Sequence, residues 1–145
     1  VPDGLDRDAL LDLLMSHCIE PGIGDWGVVF VTDFPPSQVA MARYTSGGDV
    51  DVAARFECYM HGKELANGYW EQIDADALAA QLQAENTRRR QRGLQERPID
   101  ERLLAAHRHG LPECAGVALG VDRLLALSLG AENLVETISF GWESA

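Results

Sequence analysis

Three glutamates, Glu57, Glu64 and Glu71, recur every seven residues, with Asn67 between the last two. Farther along the chain, Arg123 closes a glycine-spaced apolar run, Gly116-Val-Ala-Leu-Gly120-Val-Asp122-Arg123. Carboxylates grouped near a phosphate are hard oxygen ligands for magnesium. A helix N-terminus offers free N–H groups and a positive dipole, and a guanidinium beside it adds a permanent charge, which together suit a polyphosphate. Both halves of the pattern also have ordinary explanations. Glutamates on the outer face of an antiparallel sheet are usually solvated, and glycine-spaced strand-to-helix turns serve packing in many α/β proteins that bind nothing there.

For the acids to act together, the chain must bring them to one face. Phe56, Cys58 and Met60 alternate with Glu57, Tyr59 and His61, the period of a strand whose apolar set marks the buried side. His61-Gly62 offers a turn and 63–72 a second extended run, so a β-hairpin is predicted. An odd separation on one continuous strand points side chains to opposite faces. Only the turn at Gly62, with a bulge at Asn67-Gly68, brings all three glutamates together. Gly116 and Gly120 remove side chains where a ligand or another backbone comes close, and Asp122 is predicted to cap the helix carrying Leu124, Leu125 and Leu127.

Other elements follow from the same rules. Residues 5–15 read as an amphipathic helix capped within Asp3 to Asp6 and running into Glu20-Pro-Gly22. A long helix starts after Asp74 and stops at Gly93, and another covers 99–109 before Gly110 and Pro112. Segments 22–25 and 47–51 read as loops. The expected fold is α/β, one domain over 1–145, with an antiparallel sheet from 27–33, 55–60, 63–72 and 115–121 and helices on one face. The run Arg88-Arg89-Arg90-Gln91-Arg92 sits at a helix C-terminus, where the dipole favours cations without any ligand; a docking patch for an acidic protein is the sharper alternative.

A chain of 145 residues with 46% hydrophobic content buries one core. Its formal charge of −11 argues against a broad nucleic-acid footprint, which needs basic surface to displace counterions. No basic-apolar leader and no apolar run of membrane-spanning length is present, so a soluble cytoplasmic protein with no membrane partner is expected. Cys18, Cys58 and Cys114 lack metal-ligand spacing and read as buried, reduced thiols. His17, His61, His107 and His109 are scattered, with no Ser or Cys identifiably paired to any of them.

Taken together, Arg55-Phe-Glu57, Glu64-Leu-Ala-Asn67-Gly-Tyr-Trp-Glu71 and Gly116 to Leu127 resemble the catalytic core of the class II lysyl-tRNA synthetase family. The resemblance extends through 30–43, the helix after Asp74 and the C-terminal end. Asp33-Phe-Pro-Pro-Ser-Gln38, Glu64 to Gly68 and Gly116 to Arg123 are similar to the branch of that family that attaches a lysyl group, preferentially β-lysyl, to a lysine of elongation factor P. Synthetases acting on tRNA usually have glycine where Ala118 stands, and an extra methyl in the amino-acid pocket alters which substrate fits.

The resemblance implies roles residue by residue. Glu57 and Glu64 match the magnesium ligands that bridge the ATP phosphates, and Arg123 matches the arginine on the γ-phosphate, with Gly120 beside the nucleotide. Asn67 matches the donor to the substrate carboxylate, and Glu71 the partner of the side-chain ammonium, in a pocket that includes Gly116 and Ala118. These types suit the tasks, since a desolvated ammonium needs a carboxylate while an amide donates without adding charge. The implied reaction is adenylation, in which the substrate carboxylate attacks the ATP α-phosphorus and pyrophosphate leaves, helped by positioning and by cations. The implied partners are ATP, magnesium, a lysine-like amino acid and elongation factor P in preference to tRNA.

Nothing from Val1 to Asp25 resembles the family's interface motif or the motif carrying the arginine on the α-phosphate. The expectation is a C-terminal half of a catalytic domain, inactive or severely impaired alone, with exposed sheet edges that make homo-oligomerisation physically reasonable. A fragment of a true lysyl-tRNA synthetase and a non-catalytic synthetase-like binding module are the alternatives.

Overall fold

The computed structural model describes residues 5–141, which form an α/β fold around a five-stranded sheet. The strands are β1 (Val28–Phe34), β2 (Tyr44–Ser46), β3 (Asp51–Met60), β4 (Lys63–Trp70) and β5 (Ala115–Leu119). Their order is β1-β3-β4-β5, with β2 also paired to β3 in antiparallel register, Thr45 opposite Val52. The helices are α1 (Arg7–Leu14), the single turn α2 (Glu20–Gly22), α3 (Ala75–Gln91), α4 (Glu101–His109) and α5 (Val121–Leu129). Chain contacts divide into two compact units. The first comprises Val1–Val31, Glu57–Asn67 and Val117–Ala145, and the second Thr32–Phe56 and Gly68–Gly116.

In the first unit, Asp6 begins α1 by accepting from the Ala9 N–H at 2.9 Å. Asp3, the other end of the predicted cap interval, lies outside the described residues. Beyond the expected end at Met15 a π-helical stretch, Met15–Ile19, carries the helical backbone into α2, which ends at Gly22 in the Glu20-Pro-Gly22 segment the helix was expected to run into. The β3–β4 hairpin turns at His61-Gly62, both in the left-handed region at φ 51° and 73°, as a two-residue primed turn requires. A Cβ on Gly62 would stand 3.0 Å from the Glu20 carbonyl, so the hairpin tip packs directly on the α2 backbone.

In the second unit, the core is built on Val39, Ala42 and Ala53, with Phe34 and Tyr69 packed against them. Arg55 lays its guanidinium over Phe34 at 4.3 Å, with the Tyr69 ring at 5.9 Å, and donates to the Gln38 carbonyl at 3.2 Å. α3 follows Asp74 as expected; Asp74 caps it, accepting from Asp76 N and Ala77 N, and Asp100 caps α4 in the same way, accepting from Arg102 N and Leu103 N. α3 is tied to the core by the fully buried Leu78 and by Gln81 Nε2, which donates to the Ala42 carbonyl at 2.9 Å. The basic end of α3 is engaged within the chain. Arg88 pairs with Glu85, Arg89 donates to the Gln95 carbonyl, and Arg90 forms a two-pronged pair with Glu96. Asn86 both donates to and accepts from the Arg97 backbone, clasping the segment after Gly93 against the helix.

Several expected boundaries move. β3 begins at Asp51 rather than at Arg55, because Val52 and Ala53 are buried where β2 pairs with them. β2 itself escapes sequence reading, since three residues bear too little pattern. Cys18 is exposed, and Cys58 and Cys114 are only partly buried, so none is a core thiol as expected. Among the described residues, no helix is long and apolar enough to cross a membrane.

Candidate active site

Two donors hold the carboxylate of Glu57 in the first unit. The Tyr59 hydroxyl donates to Oε2 at 2.6 Å and Asn67 Nδ2 to Oε1 at 3.0 Å. Both bonds orient the group, one on each carboxylate oxygen. Tyr59 is only 3% exposed, although the apolar alternation assigned the buried face to Phe56, Cys58 and Met60. Burial, then the hydrogen bond to Glu57 and the negative charges of Glu57, Glu20 and Glu64, push its phenol well above the ordinary range. The hydroxyl therefore remains a donor, with Glu20 Oε1 as a more distant acceptor at 3.5 Å.

Asn67 meets Glu57 one position away from the pairing that the turn alone sets. A two-residue turn at His61-Gly62 sets Met60 opposite Lys63, and that count puts Ala66, not Asn67, across from Glu57. The hydrogen bond nonetheless joins Asn67 to the carboxylate that Tyr59 also holds.

Arg123 is anchored to β4. Its Nη1 donates to the Glu64 carbonyl at 2.8 Å and stands 3.7 Å from Glu64 Oε2, and both side chains remain partly exposed. They line a cleft of about 400 Å³ with Glu20, Lys63 and Asn133. Asp122 does not cap α5. Gly120 occupies the cap position without any side-chain bond, and its N–H donates to the Leu65 carbonyl at 2.8 Å, which starts the helix two residues earlier than a cap at Asp122 allows. A side chain at Gly120 would meet only ordinary contacts, the nearest at 3.5 Å. The Gly120–Leu65 bond, counted back along an antiparallel pair, sets the exposed Ala118 across from Asn67.

In the second unit, Glu71 is fixed by its backbone: its N–H donates to the Cys114 carbonyl at 3.1 Å and its carbonyl accepts from Arg43 Nε at 2.8 Å. Arg43 also pairs with Glu113 and stacks on Trp70, its guanidinium carbon 5.2 Å from the ring centre. The Glu71 carboxylate lies over Gly116, where any Cβ would collide with Oε1. Gly116 is therefore the residue that gives Glu71 room. Gly68 plays a related part, because a Cβ there would strike the Phe56 ring and stand 2.9 Å from the Gly116 carbonyl.

The structure thus joins Glu57 with Asn67, Glu64 with Arg123, and Glu71 with Gly116. Among the described residues, no group of three or more His, Cys, Asp or Glu forms a metal cage. The negative charges of Glu57 and Glu64 both bear on Tyr59, and carboxylate oxygens are the hard donors that magnesium takes. Sequence reading missed Tyr59, Glu20 and Arg43. Tyr59 carries a period-two signal on the Glu57 face; the other two are placed by tertiary packing and have no local mark.

Residues 19–144 match the family described as tRNA synthetases class II (D, K and N). The chain is 50% identical over 140 residues to the elongation factor P–(R)-β-lysine ligase of Pectobacterium carotovorum, a match covering 97% of this chain and 43% of that protein. It is 49% identical, with the same coverage, to the proteins of the same name from Pectobacterium atrosepticum and Edwardsiella ictaluri. It therefore spans less than half the length of these relatives. With its matched region running over all of β1 to β5, the chain belongs to the class II tRNA synthetase family of the D, K and N type.

Proposed function

We propose that this chain is part of the catalytic domain of an ATP-dependent cytoplasmic ligase that adenylates lysine, or preferentially β-lysine, and transfers it to a lysine of elongation factor P. The observation that carries the reading is the carboxylate of Glu71 standing over the side-chain-free Gly116, an acid given space to receive an ammonium group. The name shared by the relatives supports the β-lysyl substrate and the protein acceptor. The formal charge of −11 weighs against tRNA as the acceptor.

In this proposal Glu71 pairs with the substrate ammonium, Asn67 donates to its carboxylate, and Ala118 and Gly116 shape the pocket. Arg123 and Gly120 serve the γ-phosphate end of ATP. The substrate carboxylate attacks the α-phosphorus, the bond to the bridging oxygen breaks, and pyrophosphate leaves with that electron pair. Glu57 and Glu64 would hold magnesium, which when bound offsets charge on the phosphates. Exposed apolar side chains of the first unit, among them Val117 at 62% and Phe30 at 60%, support burial against further polypeptide or a second copy.

The test is ATP–pyrophosphate exchange by the intact natural polypeptide with lysine and with (R)-β-lysine, followed by transfer to elongation factor P or to tRNA. Exchange stimulated by β-lysine, lost in Glu71→Gln, with transfer to the protein acceptor, is the expected result. Absence of exchange with either amino acid rejects the reading, and transfer to tRNA alone rejects the acceptor.

A further inference from the structure

Glu57 has its orientation imposed by neighbours, and those neighbours differ in kind. Asn67 is itself a proposed substrate contact, whereas Tyr59 is almost fully buried and takes no part in the proposed substrate contacts. Its hydroxyl nonetheless makes the shorter bond to the carboxylate, 2.6 Å against 3.0 Å. The ring is locked from two directions. β3 carries it on the buried face, and the hairpin tip beside it is pressed against α2, where Glu20 offers the second, longer oxygen contact. A phenol so confined cannot follow a rotating carboxylate, so the carboxylate must conform to the phenol.

We infer that Tyr59 is a positioning residue for Glu57, fixing the carboxylate plane from which Glu57 meets the magnesium–ATP complex. The inference rests on the reading of Glu57 as a magnesium ligand. Hydrogen bonds to a ligating group orient it and tune its basicity, and their loss typically weakens metal affinity about 10- to 100-fold. A ring that only fills space would contribute packing, which phenylalanine preserves. The hydroxyl is what distinguishes the two roles.

The experiment compares the intact natural protein with Tyr59→Phe and Glu57→Gln, measuring ATP affinity calorimetrically with magnesium and with a chelator, alongside thermal unfolding. Tyr59→Phe is expected to lose about 10-fold or more in magnesium-dependent ATP affinity and to leave the chelator value unchanged. Glu57→Gln is expected to lose the magnesium-dependent increment altogether. If Glu57→Gln loses it while Tyr59→Phe keeps it, the positioning role is wrong and the ligand reading stands. If Glu57→Gln binds magnesium–ATP as the unsubstituted protein does, the ligand reading fails and the inference falls with it. An equal loss with and without magnesium in Tyr59→Phe assigns the residue to packing and overturns the inference. Should Tyr59→Phe fold poorly, fluorotyrosine at position 59 replaces it: its fluorine resonance shifts on adding magnesium to the ATP-bound protein if the inference holds and stays in place if it does not.

Discussion

Glu71 and Gly116 occupy each other's space. The carboxylate oxygen of the first lies where a β-carbon of the second would be, so the acid's position is conditional on glycine in the neighbouring strand. In Gly116→Ala the carboxylate must swing away, and a displacement of about 1 Å in a positioning group can cost about 100-fold in rate. The expected outcome is a fall of that order in amino-acid-dependent pyrophosphate exchange, expressed mainly in the KM for the amino acid, with ATP affinity retained. Unchanged KM would show that Glu71 does not need this space.

Gly68 meets an obstacle of a different kind, an aromatic ring on one side and a backbone carbonyl on the other. Gly68→Ala is expected to destabilise the fold by about 1–3 kcal/mol, the usual cost of overpacking. Adding Phe56→Ala should recover part of that loss, because the two sites share one volume. Denaturant titration of both single variants and the double variant measures the coupling; strict additivity would contradict the contact.

Ala40 holds φ at 51°, in the region that a β-carbon disfavours. Relief of about 1–2 kcal/mol of backbone strain, offset by the greater unfolded-chain entropy of glycine, gives Ala40→Gly a net stabilisation of about 0.5–1 kcal/mol. A higher denaturation midpoint with an unchanged m-value is the expected readout. A lower midpoint would mean that the unfolded-chain entropy of glycine outweighs the strain.

The Arg90–Glu96 pair gives a pH-dependent signal away from the site. Hydrogen bonding to Arg90, with its positive charge, holds the Glu96 carboxyl below the usual carboxylate range, and the Arg90 guanidinium is shifted upward in return. A depressed carboxyl favours the folded state above its unfolded pKa, about 4.3, and that contribution is lost as pH falls through the lower folded value. Carbon-detected NMR titration should place Glu96 below the ordinary value in the native protein and return it there in Arg90→Gln. Molar salt should shrink the difference, because both groups are solvent-exposed.

Local chemistry made some elements readable. Asp74 announces a helix start, Gly93 and Gly110 mark where helices stop, and His61-Gly62 announces the hairpin turn, because each decides its own few dihedrals or hydrogen bonds. Asp122 misled for the same reason in reverse. A capping residue was available, but the bond from Gly120 to Leu65 started the helix first. The residue types at Glu57, Glu64, Asn67 and Glu71 could be read as chemistry, while their contacts could not. Asn67 meets Glu57 one position away from the count that the turn sets, which no composition signals, and the burial of Tyr59 beside α2 is a matter of tertiary packing.

Glu57 and Asn67 thus meet one position away from the pairing that the His61-Gly62 turn sets by itself. A slip of one residue between β3 and β4 would turn every side chain of β4 to the other face and part Asn67 from Glu57, so the chemistry of this hairpin depends on a count as much as on any side chain.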